Sequence, residues 1–193
     1  MTTDAPPAPA QQPVQRGRGL AVIYAALMLA ILLAALDQTI VSTALPTIVG
    51  DLGGLSRLSW VVTAYILAST VGTPLWGKLG DQYGRKGLFQ AAIVIFLAGS
   101  ALCGLSRNMD ELIAFRALQG LGGGGLMVLA QAIVGDVVPP RERGRYQGAF
   151  GAVFGVASVA GPLLGGFFVV MTREAIHGLS AQVRDVRVVA SPQ

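Results

Sequence analysis

One cysteine and one histidine in 193 residues remove most catalytic options at the outset. Cys103 has no partner for an intrachain disulfide, and thiols alone cannot assemble a metal site. It reads as a small apolar filler. His177 lies in a polar C-terminal stretch and reads as a solvated side chain. No Ser/His/Asp triad, metal-ligand set or phosphate loop can be drawn. Enzyme chemistry, a metal and a cofactor therefore have no support in the chain. Charge is scarce as well: Asp, Glu, Lys and Arg make up 12% of the residues, against 53% that are hydrophobic. A water-soluble domain of this length needs a larger polar shell, so a soluble fold is excluded.

What the chain has instead is long apolar runs. Five blocks approach the roughly 20 residues that cross a bilayer: Leu20–Leu45, Ser59–Trp76, Leu88–Leu105, Leu112–Val134 and Tyr146–Val170. In hydrocarbon every backbone group must be satisfied within its own segment, so the blocks are expected to be helices. The fold class is an all-α membrane protein with a five-helix domain over 20–170. Trp60 and Trp76, at the two ends of the second block, are expected as aromatic anchors at opposite interfaces. Residues 1–19 are rich in Pro, Ala and Gln and read as a disordered arm. The basic pair before the first block suggests a signal peptide, but the run is too long and Asp37, Gln38 and Thr39 follow where small residues should mark cleavage.

The net charge of +4 is explained by topology. Arg16 and Arg18 precede the first span; Lys78, Arg85 and Lys86 lie between the second and third; Arg141, Arg143 and Arg145 lie between the fourth and fifth. The opposite loops hold only Arg57 and Arg107. That alternation obeys the positive-inside rule with a cytoplasmic N-terminus in the plasma (inner) membrane, and it removes the reason to invoke nucleic acid. The run Gly77–Gly87 is read as a short cytoplasmic loop closing an antiparallel hairpin, its four glycines allowing a tight turn.

Polar residues inside apolar runs are functional candidates by default. Asp37 lies in the first block and Arg116 in the fourth, at depths that allow contact on one side of the membrane; Gln119, three residues from Arg116, shares its helix face. Two readings stand side by side: a structural ion pair that fixes helix register, and a protonatable carboxylate tuned by burial and a guanidinium. The fifth block carries Gly148, Gly151, Gly155, Ser158, Gly161 and Gly165 as one stripe of small residues suited to close helix approach. Pro162 favours a bend there. Gly120–Gly125 matches the dinucleotide pattern G-x-G-x-x-G, but with no strand before it the match is rejected in favour of close helix packing or local softness.

Four of these segments, in order and spacing, resemble the major facilitator superfamily. Leu36–Pro46 looks like the first-helix signature of its fourteen-span drug:proton antiporters. Gly77–Gly87 resembles the cytoplasmic motif between the second and third helices, Leu112–Gly120 the fourth-helix arginine motif, and Gly155–Gly166 the antiporter motif of the fifth helix. Ser42 and Thr43 depart slightly from the first pattern. The resemblance runs from about Leu20 to Phe168 and implies most of the N-terminal six-helix half of that fold. It also implies efflux of hydrophobic or cationic small molecules by alternating access, driven by protons. Asp37, Arg116 and Gln119 would belong to proton coupling. Gly77, Asp81, Gly84, Arg85 and Lys86 would form a cytoplasmic latch. Gly155, Gly161, Pro162, Gly165 and Gly166 would shape the surface between the two halves.

Where that resemblance calls for a sixth helix, residues 171–193 are polar and do not read as a span. The expectation is an incomplete chain, its frame shifted or its gene interrupted near Phe168. The alternative is a non-transporting membrane fragment, or a half that assembles with a second polypeptide supplying the remaining helices.

Overall fold

The computed structural model describes residues 18–52 and 55–189, all in helices and the short connections between them. The order is α1 (Arg18–Leu52), a single 3-10 turn (Leu55–Arg57), α2 (Leu58–Tyr83), α3 (Arg85–Gly104), α4 (Met109–Val137) and α5 (Arg143–Val189). Each contains a stretch apolar and long enough to cross a membrane: Ala21–Ile48, Leu58–Tyr83, Arg85–Gly104, Met109–Val137 and Arg143–Met171. The arm expected over 1–19 lies outside the described residues as far as 17, and the backbone from residue 18 onward is already helical.

The helices run past the apolar blocks at most ends. A helix in hydrocarbon gains nothing by stopping at the first polar residue, because its last carbonyls still need donors. Thus α1 continues through Pro46 to Leu52, and the backbone of α5 continues to Val189. Local signals set the boundaries of α4. Asn108 caps its N-terminus by accepting from Glu111 N at 2.9 Å, and the Glu111 carboxylate accepts from Arg107 N at 2.9 Å. Pro139 and Pro140 follow its C-terminus, where Val138 is extended.

The expected loop over Gly77–Gly87 is not a loop. Residues 77–83 are the last two turns of α2 and 85–87 the first turn of α3, so Gly84 alone makes the reversal. Its φ of 92° and ψ of 132° suit glycine only. The backbone N–H of Gly84 still donates to Gly80 O at 3.2 Å, which closes α2. Glycine density suggested a tight turn built from several glycines; Gly77, Gly80 and Gly87 instead sit in helix.

The central element is α4. More than half of its apolar window (56%) is buried, against 17–22% for the other four. It is flanked by α2 and α3, and α1 pairs with α5. The glycines of α4 explain the close flanking. A Cβ on Gly122 would lie 2.6 Å from Phe96 N of α3, and one on Gly124 would lie 2.5 Å from Ser69 O of α2. From the other direction, a Cβ on Gly99 of α3 would lie 2.7 Å from the Cα of Gln119. Of the two readings of Gly120–Gly125, close packing is the one observed, with backbones meeting almost directly.

Trp76 departs from its expected place. It is 7% exposed, packs against Gly125 and donates Nε1–H to Leu121 O of α4 at 2.9 Å. Since α2 extends two turns beyond it, Trp76 is an interior side chain, and only Trp60 remains exposed at a helix end. The α5 stripe also divides. Gly161 and Gly165 are buried against Thr39, Ile40 and Thr43 of α1, whereas Gly148, Gly151 and Gly155 meet nothing within 4 Å and Ser158 is exposed.

This packing separates two classes of glycine by stability. Gly122→Ala is expected to destabilise the helical domain by about 1–3 kcal/mol through overpacking. Gly148→Ala is expected to stabilise it by less than ~1 kcal/mol through helix propensity. Thermal unfolding in one detergent measures both, and equal shifts would contradict the arrangement.

Candidate functional site

The polar residues expected at membrane depth meet in one cluster. Arg116 is the largest fully buried side chain among the described residues, 1% exposed. Its Nη1 donates to Asp37 Oδ2 at 2.7 Å and to Gln119 Oε1 at 2.8 Å. Gln119 closes the ring, donating Nε2–H to the other Asp37 oxygen, Oδ1, at 2.8 Å. Arg116 Nη2 reaches Gln38 Oε1 at 3.3 Å. Both carboxylate oxygens thus accept hydrogen bonds, one of them from a cation.

Position along the helices produces this ring. Arg116 and Gln119 are one turn apart on α4, so both project toward α1. Asp37 and Gln38 are adjacent on α1 and bracket the guanidinium from that side. Asp37 retains 15% exposure while Arg116 has almost none. The carboxylate is therefore the less enclosed member of the pair. Removing either partner from such a pair would leave a buried or half-buried charge without compensation.

Three neighbours of the cluster carried little signal in the sequence. Tyr65 of α2 places its ring under the guanidinium, 4.6 Å from Cζ to centroid. Gln38 stood only as one letter of a longer run. Cys103, expected as an apolar filler, is half-buried with its thiol 3.7 Å from Gln119 Oε1, a weak donor to the same cluster. Beside them, a cleft of about 230 Å³ lies among α1, α2, α4 and α5, lined by Gln38, Tyr65, Ser69, Thr70 and Thr73 among others.

A second polar group gathers where α2 turns into α3. Arg85 Nη2 bonds Asp81 Oδ1 at 2.8 Å within the hairpin. Its Nη1 reaches across to α4, 2.6 Å from Asp136 Oδ1 and 2.6 Å from Ala132 O. Asp136 was missed because it sits at the polar end of an apolar run, where an acid needs no special explanation. All three charged side chains are partly open to solvent, so this network contributes modestly to stability. A cavity of about 480 Å³ adjoins it, bordered by Gly80, Gly84 and Lys86. Lys86 is exposed, and Gly77 stands only in ordinary contact with Val128 of α4.

The fifth-helix candidates do not act as a group. Thr39 Oγ1 lies 3.2 Å from Ala157 O and fills the space over Gly161 where a side chain would be. Gly165 faces Ile40 and Thr43, with a Cβ there 3.2 Å from Thr43 Cβ. Gly155 and Gly166 face open space, and Pro162 is exposed. The first-helix run is therefore two-sided: Asp37 and Gln38 engage α4, while Thr39 and Thr43 engage α5.

A family model described as Major Facilitator Superfamily matches residues 27–174. The chain belongs to this superfamily. With its five apolar helices, it is a multi-pass membrane protein. Similar proteins include the "Multidrug transporter protein MdtP" of Bacillus subtilis, 50% identical over 148 residues that make up 77% of this chain and 27% of the relative. "Multidrug resistance protein 3" of the same organism is 52% identical over 139 residues, 72% of this chain and 27% of the relative. The "Efflux pump FUS6" of Gibberella fujikuroi is 43% identical over 160 residues, 83% of this chain and 29% of the relative. The chain thus spans little more than a quarter of the length of these superfamily relatives.

The ring geometry makes Gln119 a structural member in its own right. Gln119→Leu removes an acceptor from Arg116 and a donor from Asp37, and is expected to cost about 1–3 kcal/mol for the polar groups left unpaired. Thermal unfolding in detergent checks it. An unchanged midpoint would mean that the ring does not persist in the folded protein.

Proposed function

We propose that this chain is the first-half portion of a proton-coupled efflux transporter of the fourteen-span drug:proton antiporter type, handling hydrophobic or cationic small molecules by alternating access. The observation that carries the reading is the Asp37 carboxylate, bonded at membrane depth to Arg116 and Gln119 and less enclosed than either. A proton and a guanidinium compete for the same oxygens there. Protonation of Asp37 cancels its charge, frees Arg116 from its anion and loosens α1 from α4. Deprotonation restores the ring. A carboxylate that exchanges partners in this way converts proton uptake into helix movement. The names of the relatives, a multidrug transporter, a multidrug resistance protein and an efflux pump, support export as the direction.

In this reading the Arg85 network, with Asp81, Lys86, Gly77 and the Gly84 turn, is the cytoplasmic latch. Its bonds between the hairpin and Asp136 of α4 are exposed enough to break and reform. The N-terminus is cytoplasmic and the membrane is the plasma membrane, which the basic residues at one end of the bundle support. Of the fifth-helix residues, Gly155, Pro162 and Gly166 shape the face toward the other half of the transporter, while Gly161 and Gly165 set the spacing of α5 against α1. The exposed small face at Gly148, Gly151, Gly155 and Ser158 favours contact with further helices, whether in one longer chain or in a second polypeptide. Co-purification from membranes with a polypeptide carrying those helices would support the second arrangement, and recovery of this chain alone would count against it.

The decisive experiment uses the complete transporter containing this region, reconstituted in liposomes with an imposed pH gradient. Asp37→Asn is expected to reduce proton-driven substrate movement to the level of empty liposomes, while a melting curve shows the protein still folded. Coupled transport at the unaltered rate would overturn the proposal.

A further inference from the structure

The guanidinium of Arg116 has one neighbour that the ring of hydrogen bonds does not use. Tyr65 is 6% exposed, and its aromatic face lies 4.6 Å below Cζ. The contact is built into the backbone. Gly120 allows α4 to lie directly on the main chain of α2 at Tyr65, and Gly123 leaves the space that the Tyr65 hydroxyl occupies. Any side chain at either glycine would push the two helices apart and lift the guanidinium off the ring. Arg116 Nε is also buried with no hydrogen-bond partner among the described residues, so the two faces of this cation are not equally served by oxygen acceptors.

Resting on the proton-coupling reading above, we propose that Tyr65 is a positioning residue that holds Arg116 in place when Asp37 is protonated. With Asp37 ionised, Arg116 is anchored by its carboxylate and by the carbonyl oxygens of Gln119 and Gln38. With Asp37 neutral, the only anion in the cluster is gone. The two amide oxygens then remain, together with the negative face of the Tyr65 ring. A desolvated cation over an aromatic face is strongly held, because little water competes for it. The ring keeps the guanidinium from swinging away, so that Asp37 meets the same partner each time it loses its proton. Tyr65 touches neither the proton nor the carboxylate; it acts through Arg116.

The neighbourhood contains other groups that bear on such a switch. Asp37 and Gln38 approach from α1, Gln119 from α4 and Cys103 from α3. Tyr65 is the only aromatic side chain recorded over a cation among the described residues. The cleft lined by Gln38 and Tyr65 lies beside the pair.

The test reads Asp37 itself. The chain in lipid nanodiscs is titrated by infrared difference spectroscopy, with the Asp37 carboxyl band assigned by its loss in Asp37→Asn. Position 65 is then occupied by phenylalanine and by mono-, di- and trifluorinated phenylalanines, which weaken the ring's negative face while nearly preserving its shape. The midpoint is expected to stay close to the original with phenylalanine and to move progressively with fluorination. Tyr65→Leu, which lacks the ring altogether, should move it by about half to one pH unit, a part of the strength of a desolvated cation–π contact, because the ring meets Arg116 in both protonation states of Asp37. A carboxyl that titrates identically across the fluorinated series would overturn the role of Tyr65 and leave proton coupling standing. A carboxyl that never titrates would overturn both. Because the fluorinated series conserves volume, the outcome does not depend on whether Tyr65→Leu folds.

Discussion

A fully buried guanidinium sets the terms for this structure. Arg116 is 1% exposed in a segment that crosses the membrane, and an ion there is tolerated only with an anion and hydrogen-bond acceptors at the right depth. Gln119 of α4 supplies one acceptor, but the anion and Gln38 come from α1, so α1 must be held against α4 at the level of Asp37. Everything that brings α4 into the centre of the bundle serves that requirement. Its glycines admit α2 and α3 to near backbone contact, and their bulk then closes around Arg116 from both sides. The charged cluster and the glycine-rich surface are one device: without the close approach, water or lipid would reach the guanidinium and the ring of bonds would be one of several arrangements.

The bundle has an internal seam. On one side α2, α4 and α3 form a slab whose contacts are backbone against backbone; on the other α1 and α5 form a pair joined by Thr39, Thr43 and the small residues Ala157, Gly161 and Gly165. Apolar contacts such as those of Leu27 and Ile31 cross the seam, and so does the Asp37 cluster. The two kinds of contact respond differently to a change in charge. Apolar packing is indifferent to protonation, whereas the polar contacts depend on it directly. Under the proposed coupling, a proton at Asp37 would act at the more sparsely packed boundary between the α1–α5 pair and the other helices, away from the side chains that join α1 to α5. This is a favourable place for a small electrostatic event to become a rigid-body displacement.

The parts of this arrangement that could be read from the sequence are those where a residue type contradicts its surroundings. Asp37, Arg116 and Gln119 stand out because apolar runs have no ordinary use for them, and their spacing within each run fixed which end of the membrane they share. The five helices followed from length and hydropathy. What could not be read was the meaning of glycine. In Gly77–Gly87 it suggested a loop, yet the only residue out of the helix is Gly84, since the backbone on either side keeps its helical hydrogen bonds up to the turn. In α5 it suggested one stripe, yet only Gly161 and Gly165 face α1, while Gly148, Gly151, Gly155 and Ser158 face outward. Trp76 looked like an interface anchor because the apolar run ends there, but the helix continues and the indole turns inward to Leu121. Tyr65 offered no local anomaly at all. An aromatic residue in an apolar span is unremarked until the opposing helix is known to carry a cation.

Glycine also separates finished from unfinished surfaces in this protein. A glycine within a helix costs roughly 1 kcal/mol relative to alanine, so several on one face need something to offset them. In α4 the offset is visible: Gly120, Gly122, Gly123, Gly124 and Gly125 all meet a neighbour so closely that a methyl group would not fit. In α5, Gly161 is accounted for in the same way and Gly165 lies close against Thr43 and Ile40, but Gly148, Gly151 and Gly155 touch nothing. Flexibility alone is a poor explanation, because the outward glycines keep the same one-turn spacing as the packed ones and Ser158 continues their line. That regularity is what close helix packing requires and what a merely soft helix does not. The described residues thus account for the small side chains turned toward α1 and leave those turned outward with a geometry suited to another helix.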